Sequence, residues 1–297
     1  MADGTGEADI RGVDIQKFVT GFADEDLVLL NFARKAKTSS REIRWFQKTA
    51  GYISPATTTA ITSNLGANTS FRSIAPVAEQ TWTRNTSHVQ KFFMESELIS
   101  IEDEKDSDVD VLMTMVRDLL IGVANLQEQR AYNVLTENLS PTNILTTAAT
   151  ADGWDDLTTG NPILDILNGN QKIRAYRYKI DQKNKAVLYI NSIEHKHLLN
   201  FLISVKGSSI PSVSSSLIMD GVVMEILNND VVVSENATTD YALQFIPEKS
   251  FAWKSFMPLT AEIERYAGKG KKIFAWAEGE ALLEHPKSVH LITDTIT

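Results

Sequence analysis

The side chains most able to do chemistry are five histidines, two serine clusters and one run of acids. The histidines are His88, His195, His197, His285 and His290. His195 and His197 lie two apart on a predicted helix, which turns them to different sides, whereas a helix-borne metal pair needs a spacing of three or four. Glu194-His195-Lys196-His197 also lacks the His-Glu-x-x-His order of the zinc proteases, so two solvated histidines are expected. Gly207-Ser208-Ser209 and Ser214-Ser215-Ser216 supply hydroxyls, but no Gly-x-Ser-x-Gly elbow lifts one of them above a sheet. Neither glycine pattern for cradling phosphates is present. Glu102, Asp103, Glu104, Asp106 and Asp108 offer oxygens to a divalent cation without calcium-loop spacing. With no cysteine in 297 residues, disulfides, thiolate metal sites and cysteine nucleophiles are excluded. The expectation is a protein that is no enzyme, with no catalytic residue, no cofactor and no metal.

The elements around these residues are more telling. From about Ser107 to Asn138, apolar residues fall at Val109, Leu112, Val116, Leu119, Leu120, Val123, Leu126, Ala131, Val134 and Leu135. That three-and-four spacing makes one helical stripe. Ser107 and Asp110 form a variant capping box, and the acids before them sit at the positive end of the helix dipole. At 1.5 Å per residue the helix would run about 45–50 Å, longer than a compact domain of this size needs.

Before the helix, Arg41 to Phe46 begins a strand and Val89 to Leu98 returns as another. Between them, Gly51 to Thr86 is rich in Thr, Ser, Asn and Ala, with only scattered apolar residues to bury. A long two-stranded β-loop that projects outward and lies on another subunit accounts for such a stretch, taken with the helix and tail, better than a disordered loop. Its aromatic and apolar residues then become candidate inter-subunit contacts: Trp45, Phe71, Ile74 and Trp82.

The rest alternates. Residues 1–40 form an acidic arm with a short helical candidate at Asp24–Lys37. Asn161-Pro162 starts a helix carrying Ile163, Ile166, Leu167 and Ile173. Ala186–Ile190 is a buried strand, and Ser192–Leu202 is a helix with Ile193, Leu198, Leu199 and Leu202 inward. Short strands at 222–226 and 230–233 complete an α/β unit. From Tyr241 onward the chain is β. The formal charge of −9, from 29 basic and 38 acidic residues, argues against a DNA-coating or membrane-surface protein. The opening residues are too polar for a signal peptide, and no apolar run reaches membrane-spanning length.

This order of parts resembles the major capsid proteins of tailed phages, the Hong Kong 97-type shell fold. The best local matches are Lys91-Phe92-Phe93 through Glu97-Leu98-Ile99-Ser100 into Asp108-Val109-Asp110, and the tail Glu284-His285-Pro286-Lys287-Ser288-Val289. The resemblance implies an α+β fold in five parts: an N-terminal arm (1–40), an extended β-loop with flanking strands (41–100), a spine helix with part of the peripheral subdomain (101–155), an axial subdomain (156–240) and return strands of the peripheral subdomain (241–297). It implies a structural protein of the virion that self-assembles, as pentamers and hexamers in the host cytoplasm, into an icosahedral shell. The shell would enclose double-stranded DNA without sequence-specific binding and without a membrane. Portal, scaffold or decoration proteins are the further partners the resemblance brings in. Few residues precede the arm and the chain opens on Met1, so a separate scaffold or none is expected rather than a fused, cleaved one. Some members of that family crosslink a Lys to an Asn; Lys48 and the many Asn residues do not by themselves place such a bond. The rival readings are an encapsulin-like nanocompartment shell protein and an α/β hydrolase centred on 155–240.

Overall fold

The computed structural model of the chain describes residues 28–50, 81–102, 111–150, 153–206 and 225–296. Two sheets and a hairpin hold thirteen strands among these residues. The first sheet joins β1 (Arg34–Lys37), β11 (Phe251–Tyr266), β12 (Gly270–Leu283) and β4 (Gln90–Glu95) in that order, with β5 (Ile99–Ser100) also on β12. The second has the order β6 (Leu145–Ala148), β13 (Val289–Thr293), β10 (Tyr241–Phe245), β7 (Ala186–Ile190), β9 (Asn229–Val233), β8 (Glu225–Ile226). The hairpin pairs β2 (Glu42–Ala50) with β3 (Thr81–His88).

The spine helix α1 runs Val111–Leu135 and packs on β12, β4 and β11. Leu112, Val116, Leu119, Leu120 and Val123 share a core with Ile273, Ala275 and Ala277 of β12, whose small side chains let helix and sheet approach. Gly122 serves the same approach, because a Cβ there would stand 2.4 Å from Met94 Sδ. Tyr132 and Leu135 extend this core to the second sheet, where Tyr189, Leu243, Phe245 and Leu291 meet them. On that sheet's other face, Leu188, Ile190, Ala242 and Ile292 pack with Ile166 of α2 (Pro162–Ala175) and Leu198 of α3 (Ser192–Phe201). Covered on both sides, β7 is buried throughout, as its unbroken apolar run predicts. Asn161 caps α2, its Oδ1 accepting from Leu164 N–H at 3.2 Å, with Pro162 in the first turn.

Several expectations are corrected. Arg34–Lys37, read as the end of a helix, is a strand parallel to β11; Leu29–Phe32 makes only a short 3-10 turn before it. Backbone pairing to Ala252 through Ser255 holds this stretch in its extended form. The return strand expected over 89–98 is the shorter β4, Gln90–Glu95, and it pairs with β12; the strand begun at Arg41–Phe46 pairs instead with the preceding β3. The division at 240/241 is not respected either: β10 and β13 lie beside β7 in the second sheet. Leu126, Leu167 and Ile193, placed inward by their spacing, are exposed at 39%, 44% and 40%. The α1 stripe turns instead through Gln127 and Glu128, both buried. The helix ends at Leu135 rather than near Asn138, because Glu137, Asn138 and Leu139 all take positive φ. Burial pushes the Glu137 carboxyl up, yet hydrogen bonds from Asn143 and Thr142 outweigh it and hold the group below the usual carboxylate range. The capping box at Ser107 and Asp110 lies outside the described residues.

Candidate assembly surface

The β2–β3 ribbon has two unlike faces, set by the two-residue period of a strand. Ile43, Trp45 and Gln47 turn toward the body of the subunit: Ile43 and Gln47 are buried and Trp45 is half-buried. Gln47 Nε2 donates to Leu283 O at 3.1 Å, and Asn85 Nδ2 donates to Gln47 Oε1 at 3.3 Å. Trp45 Nε1 donates to Ser87 Oγ at 2.9 Å while its ring leans on the main core. The opposite face carries Arg44, Phe46 and Lys48 on one strand and Trp82, Arg84 and Thr86 on the other. Phe46 is 58% exposed and Trp82 47% exposed. Phe46 sits directly across from Arg84, and Trp82 across from Lys48. The outward face is therefore aromatic at its centre with cations around it, one of which, Arg44, is paired with Glu42 at 2.7 Å.

The ribbon's root is fixed. Val89 N–H donates to Arg41 O at 2.9 Å, and the Arg41 guanidinium reaches Glu278 at 3.5 Å and lies 5.5 Å over the Phe256 ring. Arg34 pairs with Glu284. Arg130 of α1 reaches the buried Glu280 at 2.9 Å. Burial raises the Glu280 carboxyl, and Arg130 opposes that rise. Cations from the arm, the ribbon root and the spine helix thus converge on the acids at the end of β12.

A second exposed aromatic group lies on the first sheet, where Phe93 and Phe274 stack with centroids 6.0 Å apart. Lys91 and Lys272 stand 5.0 Å and 5.5 Å from the Phe93 and Phe274 rings, at cation–π distance.

Of the four contacts expected from sequence, Trp82 is on the outward face and Trp45 on the inward one. Phe71 and Ile74 lie outside the described residues. Phe46 was missed, although the alternation Ile43, Trp45 against Phe46 already put it opposite the buried side.

The groups considered for chemistry are dispersed. Burial lowers His195 and His197, and among the described residues no three His, Asp or Glu side chains converge as a metal site would need. Ser209 and Ser214–Ser216 lie outside the described residues. His290 is fully buried: Nδ1 is 3.1 Å from Gln244 Oε1 and Nε2 is 2.8 Å from Thr147 Oγ1. Gln244 Nε2 donates to Ile166 O, so Gln244 Oε1 is the acceptor and His290 carries its proton on Nδ1. Thr147 Oγ1 in turn accepts from Lys172 Nζ at 2.6 Å. Each partner's role is spent within the fold, which makes this a structural network.

No protein-family model and no curated protein matches the chain by sequence. Solved structures do match it along nearly its whole length. A virus-like particle from Pyrococcus furiosus aligns over 94% of this chain and 98% of its own, with a TM-score of 0.61 and 11% identity. The capsid of an empty GTA particle aligns over 90% of both, with a TM-score of 0.62 and 10% identity. Mycobacterium phage Che8 aligns over 87% of this chain and 86% of its own, with a TM-score of 0.57 and 16% identity. The chain has the Hong Kong 97-type shell fold. In the terms of that fold, α1 is the spine helix, the first sheet is peripheral and the second, with α2 and α3, is axial.

Proposed function

We propose that this chain is a major capsid protein, a structural subunit that self-associates into a closed icosahedral shell. The observation that carries the reading is the ribbon's outward face, where Phe46 and Trp82 stand in water with Arg44, Lys48 and Arg84 beside them. Large aromatics ringed by cations favour a protein partner, because burial of the rings supplies affinity and the charges supply register. In a shell that partner is a neighbouring copy, and several modest contacts per subunit add to a stable whole. Phe71, Ile74 and Trp82 are the contacts proposed for the β-loop, with Phe46 added from its exposure, while Trp45 packs on its own subunit's core. The net charge of −9 fits an enclosed double-stranded DNA that is held without being gripped. Portal, scaffold or decoration proteins and a virion location follow from the same reading, and no catalytic role is proposed.

The test is sedimentation and negative-stain imaging of the chain expressed alone. Closed shells or flat rings of five and six, far above the 33.0 kDa monomer, are expected. A monodisperse monomer that stays so beside a co-expressed scaffold overturns the reading. A nanocompartment remains the rival, carried by the match to a virus-like particle. Nuclease-protected DNA in purified particles supports the capsid reading, whereas captured protein without DNA supports the rival.

A further inference from the structure

The segment after β13 is held by polar contacts that meet at one buried acid. Thr295 is fully buried; its N–H donates to Asp240 O at 3.3 Å, and its O accepts from Trp154 N–H at 2.7 Å. Ile296 N–H donates to Asp240 Oδ1 at 2.9 Å. Asp240 is held at φ 73°, in the left-handed region, and its own N–H donates to Glu194 Oε1 at 2.6 Å. Glu194, in the first turn of α3, is fully buried. Its second oxygen, Oε2, is buried without a hydrogen-bond partner, and so is Thr295 Oγ1.

A buried carboxyl without a partner for one oxygen is costly when ionised and much less so when protonated. The groups acting on Glu194 come from three sides: the Asp240 carboxylate and N–H from the turn before β10, the Thr295 hydroxyl from the tail, and the Tyr132 ring of α1. None of them is a cation. Burial accordingly pushes the Glu194 carboxyl up and the Asp240 carboxylate adds to the rise, while the Asp240 N–H and the Thr295 hydroxyl pull it back.

We propose that Glu194 is a proton-operated latch on the segment Asp294–Ile296. Protonated, Oε2–H donates to Thr295 Oγ1, which supplies a partner to both orphaned oxygens, and the tail stays seated against Asp240 and Trp154. Ionised, the carboxylate can still accept from the Thr295 hydroxyl, but it faces the Asp240 carboxylate with no cation acting on it; the repulsion displaces Asp240, whose O and Oδ1 hold Thr295 and Ile296, and the tail leaves the axial subdomain. A raised folded-state pKa places the seated form at the acid side; release comes as pH rises through that value. The latch stands independently of the shell reading.

Because the chain lacks cysteine, a single thiol introduced by Ile296→Cys reports on the tail without interference. Its alkylation rate, divided at each pH by that of an unfolded cysteine peptide, should rise at least tenfold between pH 5 and pH 9. In the Glu194→Gln background it should stay low and vary less than twofold, because the amide donates to Thr295 at every pH. Equal pH profiles in the two backgrounds overturn the latch. Should E194Q fail to fold, hydrogen exchange in the unmodified protein decides. Protection of the Thr295 and Ile296 amides, corrected for intrinsic rates, should fall together with one midpoint while that of Leu291 in β13 holds. Constant protection of all three refutes the proposal.

Discussion

His290 should make this protein acid-sensitive, by an amount that can be worked out. Burial pushes its imidazole from the ordinary 6.5 down to about 3, with the Lys172 ammonium adding to the shift. A depressed histidine pKa means that the unfolded chain binds more protons than the folded one between those two values, so stability falls as pH falls. The loss begins near the unfolded value and grows by about 1.4 kcal/mol per pH unit. By pH 5 it amounts to about 2 kcal/mol, a sizeable fraction of the 5–15 kcal/mol that typically separates folded from unfolded states. The substitution that isolates it is His290→Gln, which retains a donor and an acceptor but does not titrate. Urea unfolding of dissociated subunits, followed by far-UV circular dichroism, should be run on both proteins at pH 7 and pH 5. Other groups titrate equally in both, so the wild-type chain should lose about 2 kcal/mol more than H290Q over that interval. If the two lose the same, His290 is already charged in the fold, and the proton assignment through Gln244 and Thr147 is wrong.

Replacing Phe46 and Trp82 together with glutamate should leave subunit stability within about 1 kcal/mol, since each is about half exposed, yet hold the chain at monomer size in sedimentation. Arg130→Met leaves Glu280 buried beside no cation and should cost about 2–3 kcal/mol by denaturant titration, below the full buried-pair value because Arg130 is partly exposed. Adding Glu280→Gln should recover much of that loss. A Cβ at Gly169 would lie 1.7 Å from Gln244 Oε1 and 2.6 Å from His290 Nδ1, so Gly169→Ala should push α2 off the sheet and cost about 1–3 kcal/mol in the same titration.

Long-period patterns were legible in the sequence, and pairings between distant strands were not. The three-and-four spacing from Leu112 to Leu135 found the spine helix, Asn161-Pro162 found the start of α2, and the apolar run Ala186–Ile190 found the central strand. Arg34–Lys37 was misread because a four-residue basic strand carries no period of its own; its identity comes from β11, more than two hundred residues away. The membership of β10 and β13 in the axial sheet failed for the same reason, since either strand would suit either sheet by composition. Ile193 and Leu167 show the limit of helical spacing in short helices, where one extra apolar residue widens the apparent stripe beyond the face that is covered. On the candidate surface, Trp82 was readable as an aromatic without a core. Phe46 follows from the same strand alternation that turns Trp45 inward.

The place of β13 in the axial sheet also sets a clock on biosynthesis. It lies between β6 and β10, and β6 reaches the sheet only through it, by a parallel pairing of His290 with Leu145 through Thr293 with Ala148. Residues 145–148 must therefore wait for residues 289–293 to leave the ribosome, about 7–30 s at ordinary rates of elongation. During that interval the apolar faces that β13 will cover stay open, and a holding chaperone has a defined window in which to act. Polysomes crowd many copies onto one message, and those that have not yet delivered residues 289–293 have an open axial sheet. The order of translation thereby withholds this sheet from neighbouring copies until β13 arrives.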